Sequence, residues 1–204
     1  MLMQNIVGLV LVYAIIVASL GLSLLAERRG ADDNIVRKIV HVGVGFFVFV
    51  WWVFTENWIM AVFFTVPFAV ILFLAMFKGN AVNSSKIGEL STEKGHRWGL
   101  FLYVVTINIM VFFFFDHWTA ASIGIAAMTF GDAFGSIIGR RFGRHSILNG
   151  KSLEGSLAVF AATVVMALVI MLFYGYLADA GLFSGSVSPS AGIFAAAVAA
   201  GAIA

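Results

Sequence analysis

Residues 131–156 read GDAFGSIIGRRFGRHSILNGKSLEGS, a run that starts inside an apolar segment, crosses an arginine-rich loop and enters a second apolar segment. Drawn as a helix, its first half sets Asp132, Gly135, Ser136, Gly139, Arg140 and Gly143 on one face, because residues three and four apart lie above one another. That face is a carboxylate, an arginine and a bare backbone groove. A span, a basic loop and another span form the repeating unit of a multi-pass membrane protein.

The remainder of the chain repeats this unit. Of 204 residues, 62% are hydrophobic and 11% charged, and the mean hydropathy is +1.04. A bilayer span needs roughly 20 mostly apolar residues. Six such stretches are present, at about 5–26, 35–54, 58–77, 98–115, 118–139 and 155–178, with a short seventh at 191–204. The expected fold is therefore all-α, a transmembrane helical bundle of six to seven spans forming one domain over residues 1–204, without a soluble appendage. Cysteine is absent, which excludes disulfides, iron–sulfur clusters and thiolate zinc sites.

Charge placement gives an orientation. Arg28, Arg29, Arg37 and Lys38 surround the first connection, Lys78, Lys86, Lys94 and Arg97 the third, and Arg140, Arg141, Arg144 and Lys151 the fifth, which accounts for all twelve cations. The other connections carry only Glu56, Asp116 and Asp179 as charges. The positive-inside rule then puts the basic loops in the cytoplasm and the N-terminus outside, in a cell membrane. Trp51, Trp52, Trp58 and Trp118 fall at expected outer boundaries and Trp98 at an inner one, as an aromatic belt requires. The first stretch does not read as a cleaved signal peptide, since its cations follow it rather than precede it.

Cations gathered on one side of a membrane suit anionic lipid head groups or, more specifically, a polyphosphate ligand. A nucleic-acid partner is not expected, because no basic face with interleaved aromatics lies outside the apolar stretches. No pattern in the chain specifies an oligomeric state.

Three constellations carry chemistry. Asp132 lies eight residues before Arg140, so on a helix it sits about 12 Å deeper, where an unpaired, dehydrated carboxylate costs about 2.5 to 3.5 kcal/mol. The series Gly131, Gly135, Gly139 and Gly143 by itself signals close helix packing. With Asp132, Arg140 and Arg144 on or beside the stripe, it also reads as a groove that admits phosphates. The second constellation is Gly150, Lys151, Ser152, Leu153, Glu154 and Gly155. It resembles the tail of a P-loop but lacks a glycine where His145 stands and follows an apolar helix rather than a strand, so a P-loop is rejected. A helix starting near Ser152 still points free N–H groups and partial positive charge at the loop, where Lys151 adds a full charge. Glu154 has two readings: a first-turn acid favoured by the helix dipole, or a partner of Asp132 in holding a divalent cation. The third constellation is Arg37, Lys38 and His41, with Arg37 and His41 one helical turn apart. It reads either as interface cations with a packed histidine or as contacts to phosphate and to an acceptor hydroxyl.

The pattern Arg37-Lys38-x-x-His41, followed by Gly131-Asp132-Ala133, Gly139-Arg140, Gly143-Arg144-His145 and Lys151-Ser152-x-Glu154-Gly155-Ser156, resembles the polyprenol kinase family of dolichol and phytol kinases. The loop from Lys78 to Arg97, with Glu89, Glu93 and Lys94, is similar more loosely. The resemblance implies a multi-pass enzyme that transfers the terminal phosphate of a nucleoside triphosphate, typically CTP, to an isoprenoid alcohol. It implies Mg²⁺ held by Asp132, with or without Glu154, phosphates neutralised by Arg140, Arg144 and Lys151, and the alcohol hydroxyl handled by His41 or Asp132. Members continue with a further acidic and polar segment and a last span, so a C-terminal truncation is the expectation here. Rival readings are a CTP-dependent diacylglycerol kinase, a phosphatidate cytidylyltransferase, whose distinctive C-terminal polar motif is not seen, and a transporter or lipid-binding membrane protein with Asp132 as a proton relay.

Overall fold

The computed structural model describes residues 2–77, 79–85, 88, 97–147 and 150–182. The expected seventh stretch and Lys78, Lys86, Glu89, Glu93 and Lys94 lie outside them. Every named element is helical: α1 (Leu2–Arg28), α2 (Asp33–Gly45), α3 (Asn57–Ala75), α4 (Arg97–Phe113), α5 (Trp118–Phe142) and α6 (Leu153–Asp179). Among the described residues, α1, α3, α5 and α6 are long and apolar enough to cross a membrane, at mean hydropathies of 2.6, 2.5, 1.4 and 2.7. The 27 residues of α1 or α6 span about 40 Å, more than the ~30 Å hydrocarbon layer. Large apolar side chains point outward, among them Met3, Phe113 and Leu172, each more than 70% exposed. The buried face of α1 instead sets small and polar residues around two β-branched ones, running through Asn5, Gly8, Val12, Ile16, Ser19 and Ser23. Apolar outside and small or hydrogen-bonded inside is the packing logic of helices in lipid.

Packing divides the chain into two compact units, Met1–Val40 with Val53–Phe115, and His41–Trp52 with Asp116–Ala204. In the first, polar side chains satisfy backbone that the helices leave open. Asn5 donates to Thr55 Oγ1 at 2.7 Å and accepts the Thr55 N–H at 2.9 Å. A π-turn over Ala61–Thr65 interrupts the ladder of α3, and the carbonyls it exposes find donors: Tyr13 Oη on Phe63 O at 2.6 Å and Asn108 Nδ2 on Thr65 O at 3.2 Å. Unsatisfied backbone in hydrocarbon costs several kcal/mol, so these side chains hold the π-turn in place.

In the second unit, α5 lies against α6 along glycines. A Cβ on Gly131 would come within 3.0 Å of Thr163 Oγ1, one on Gly139 within 3.4 Å of the Gly155 Cα, and one on Gly135 would run into Val159. The expected span at 35–54 is not one α-helix. Its α-helix ends at Gly45 and continues as 3₁₀ turns over Phe46–Phe49 and Trp51–Val53. Gly45 is pressed against the Thr129 side chain, and crowded aromatic and β-branched residues follow it, poor company for a continued α-helix. The tighter turns free the Val48 carbonyl, which accepts from the fully buried Tyr174 hydroxyl at 2.6 Å; that oxygen also lies 3.3 Å from Ser122 Oγ. Tyr174→Phe is expected to destabilise the protein by about 1 kcal/mol, read as an earlier unfolding transition in detergent. An unchanged transition would mean that the Val48 carbonyl finds another donor.

Candidate active site

α5 changes hydrogen-bonding pattern one residue before Asp132, in a π-turn over Ala127–Gly131. Such turns re-aim the residues after them. From Asp132 onward the helix is regular, so the face expected from the sequence forms: Asp132, Gly135, Ser136, Gly139 and Arg140 line one wall of a cleft of about 460 Å³. Gly150, Lys151, Ser152, Gly155, Ser156 and Val159 line the other. Ser152 caps α6, its Oγ accepting the Gly155 N–H at 3.1 Å. The remaining first-turn N–H groups give this end of α6 a partial positive charge, as at other anion-binding helix ends. Arg140 and Lys151 add two full positive charges against the one negative charge of Asp132, so the lining is net cationic.

His41 reaches the same carboxylate. Its Nε2 lies 3.8 Å from Asp132 Oδ2, with the histidine 9% and the aspartate side chain 57% exposed. Two contacts seat the end of α2 on the π-turn of α5 and so bring the pair together: Gly45 against Thr129, and Phe46 edge-on to Phe130 with ring centroids 5.2 Å apart.

The loop between α5 and α6 closes on itself. Ile147 N–H donates to Lys151 O at 2.8 Å and Leu153 N–H to His145 O at 2.9 Å, flanking a Ser146–Ser152 bridge. Gly150 supplies the turn at φ +73°, a backbone state that side chains disfavour. Glu154, one residue before the expected sixth span, fastens the other end of the loop. Its Oε1 is 2.7 Å from His145 Nδ1, and its Oε2 accepts from the backbone N–H of Arg144 at 3.1 Å and of His145 at 3.4 Å. The His145 ring, followed by the backbone donors, holds the Glu154 carboxyl down to about 2 against its desolvation.

Asp132, Gly135, Gly139, Arg140, Lys151, Ser152 and Gly155 thus share one cleft, with His41 at its carboxylate. Glu154, Gly143 and Arg144 do not line it; Glu154 and Arg144 belong to the loop closure, and Gly143 sits under Ser152, where a Cβ would be 2.7 Å from Ser152 Oγ. Arg37 and Lys38 belong to the first compact unit. Ser136, Gly150 and Ser156 line the cleft without having been assigned a role, although the i, i+4 spacing from Asp132 to Ser136 and from Ser152 to Ser156 carried the signal. Among the described residues no group of three or more His, Asp or Glu side chains could hold a metal. One exposed carboxylate still fits Mg²⁺, which binds through one or two carboxylates, substrate phosphates and water.

Searches found no matching family model and no matching solved structure. Curated proteins do match. The chain is 29% identical over 180 residues to a phytol kinase of Synechocystis sp., covering 83% of this chain and 73% of that one. It is 29% identical over 161 residues to a probable chloroplastic phytol kinase of Triticum aestivum (75% and 54% covered). It is 26% identical over 171 residues to a chloroplastic farnesol kinase of Arabidopsis thaliana (77% and 55%). The chain spans about half the length of these plant relatives. Motifs and alignments agree, and the chain is a homologue of phytol and farnesol kinases over three quarters or more of its length.

Proposed function

We propose that this chain is an integral membrane kinase that transfers the terminal phosphate of CTP to the hydroxyl of an isoprenoid alcohol of the phytol, geranylgeraniol or dolichol type, at the cytoplasmic face. The observation that carries the reading is the cleft itself, where the N-terminus of α6, Lys151 and Arg140 face Asp132. Kinase relatives make phosphate its natural occupant. Phosphoryl transfer asks a protein for positioning and charge neutralisation more than for covalent chemistry. Arg140 and Lys151 neutralise the phosphate oxygens, and the α6 amides receive an anion without a side chain intervening at Gly135, Gly139 or Gly155. Asp132 would hold Mg²⁺, which would supply positive charge against the phosphates. The alcohol oxygen forms a bond to the terminal phosphorus as the bond to the bridging oxygen breaks; CDP leaves, and the hydroxyl proton passes to a base. His41, beside Asp132, orients that hydroxyl.

The test is purified protein with γ-labelled CTP, Mg²⁺ and a panel of phytol, geranylgeraniol, dolichol and diacylglycerol, read by thin-layer chromatography. Label on one of the three isoprenoid alcohols supports the proposal and names the acceptor. Label on diacylglycerol alone, or pyrophosphate released in place of CDP, replaces it with the corresponding rival.

A further inference from the structure

Glu154 follows the phosphate-binding loop and was a candidate metal ligand by spacing alone. We propose instead that Glu154 and His145 form a clasp that holds the loop between α5 and α6 closed, making Glu154 a positioning residue for the nucleotide. This rests on the kinase reading for its substrate, though not for its geometry.

Both carboxylate oxygens are engaged by the loop's first residues. Oε1 faces His145 Nδ1 at 2.7 Å, and Oε2 faces the N–H groups of Arg144 and His145. These contacts occupy three of about four acceptor positions on a carboxylate. The positive ends of those backbone N–H dipoles point at Oε2, where a divalent cation would meet them head-on. The carboxylate on the cleft wall is Asp132; Glu154 does not line it.

The contacts also explain how Lys151 is held. Glu154 sits at the foot of α6 and grips residues 144–145 at the foot of α5, so the loop is tied where it leaves and where it returns. Between these ties, Lys151 O accepts the Ile147 N–H and His145 O accepts the Leu153 N–H. Lys151 is thereby carried to the cleft on a preformed hairpin, and the first turn of α6 is drawn to the same place. Ordering the loop before the nucleotide arrives improves affinity, because the entropy is already spent. Loss of the clasp therefore acts on KM and leaves kcat largely alone.

The experiment uses the full chain in detergent with His145→Ala, Glu154→Ala, Glu154→Gln and the double alanine variant. CTP binding without alcohol, KM and kcat for CTP, Mg²⁺ half-activation, and the rate of tryptic cleavage after Arg144 and Lys151 are measured. A clasp predicts that His145→Ala weakens CTP binding about tenfold, the worth of one lost hydrogen bond to a charged group, and that Glu154→Ala, which also releases the Arg144 and His145 N–H groups, weakens it at least as much. Tryptic cleavage should quicken by about the same factor. The double variant should be no worse than Glu154→Ala, since the His145 ring contact is already lost with the carboxylate. Glu154→Gln, which keeps an oxygen for the backbone donors, should recover part of the loss, with Mg²⁺ half-activation unchanged in all four. Additive effects of the two alanine substitutions overturn the clasp. So does a raised Mg²⁺ requirement in Glu154→Gln with His145→Ala behaving as wild type, which makes Glu154 a metal ligand. If no alcohol accepts phosphate, the kinase reading fails; the proteolysis cycle still decides the clasp.

Discussion

Asp132→Asn is expected to lower phosphoryl transfer by about three orders of magnitude while leaving the protein folded and inserted. The substitution keeps size and shape and removes one charge. Asp132 is the carboxylate of the cleft, so the loss falls on the positioning of phosphates and on the pair with His41. Removing a single preorganised electrostatic group from an active site typically costs about 10²- to 10³-fold. On the proposed mechanism Asp132 would also hold Mg²⁺, which puts the expected loss at the upper end. The fold should tolerate the change because the side chain is 57% exposed and takes no part in the glycine contacts between α5 and α6. The check pairs the transfer assay with a thermal unfolding curve of both proteins. Wild-type turnover in a folded Asp132→Asn protein would remove Asp132 from the mechanism. A large Tm drop with proportionate loss of activity would make it a structural residue.

The sequence made much of this site legible because the information lies in helical spacing. Asp132, Gly135, Gly139 and Arg140 recur every three or four residues, so a regular helix from Asp132 must align them, and Ser152 before an apolar run announces a helix cap. Hydropathy likewise located α1, α3, α5 and α6. Spacing is silent on departures from regularity. The π-turns at Ala61–Thr65 and Ala127–Gly131 arise from distant donors and packing partners, such as Tyr13 on Phe63 O or Gly45 on Thr129. The 3₁₀ turns after Gly45 depend on Tyr174, 126 residues from the carbonyl it satisfies. The Glu154 partner was hidden for a related reason. Nine residues separate it from His145 across a turn whose direction depends on Gly150 at positive φ, and a linear pattern does not encode that direction.

The glycines illustrate how packing and function share the same residues, and Gly155→Ala is expected to show it. A Cβ at Gly155 would lie 3.1 Å from Gly135 O, 3.1 Å from Gly139 Cα and 3.1 Å from Ser152 Oγ. The first two neighbours are backbone and have no rotamer to escape into, so α5 and α6 must separate. Overpacking of this kind costs about 1 to 3 kcal/mol, against which alanine's better helix propensity returns at most about 1 kcal/mol. Gly175 on the same helix is the control, since nothing lies within 4 Å of a Cβ there; Gly175→Ala should be neutral or stabilising. Unfolding in detergent should therefore move in opposite directions for the two variants. CTP binding should weaken only for Gly155→Ala, because the residues that touch α5 also present the α6 N-terminus and Lys151 to Asp132. Should the two variants unfold alike, the close approach at Gly155 is not what joins these helices. Should Gly155→Ala be destabilised and still bind CTP as wild type, the helix contact and the phosphate cleft are separable, and the glycine stripe serves packing alone.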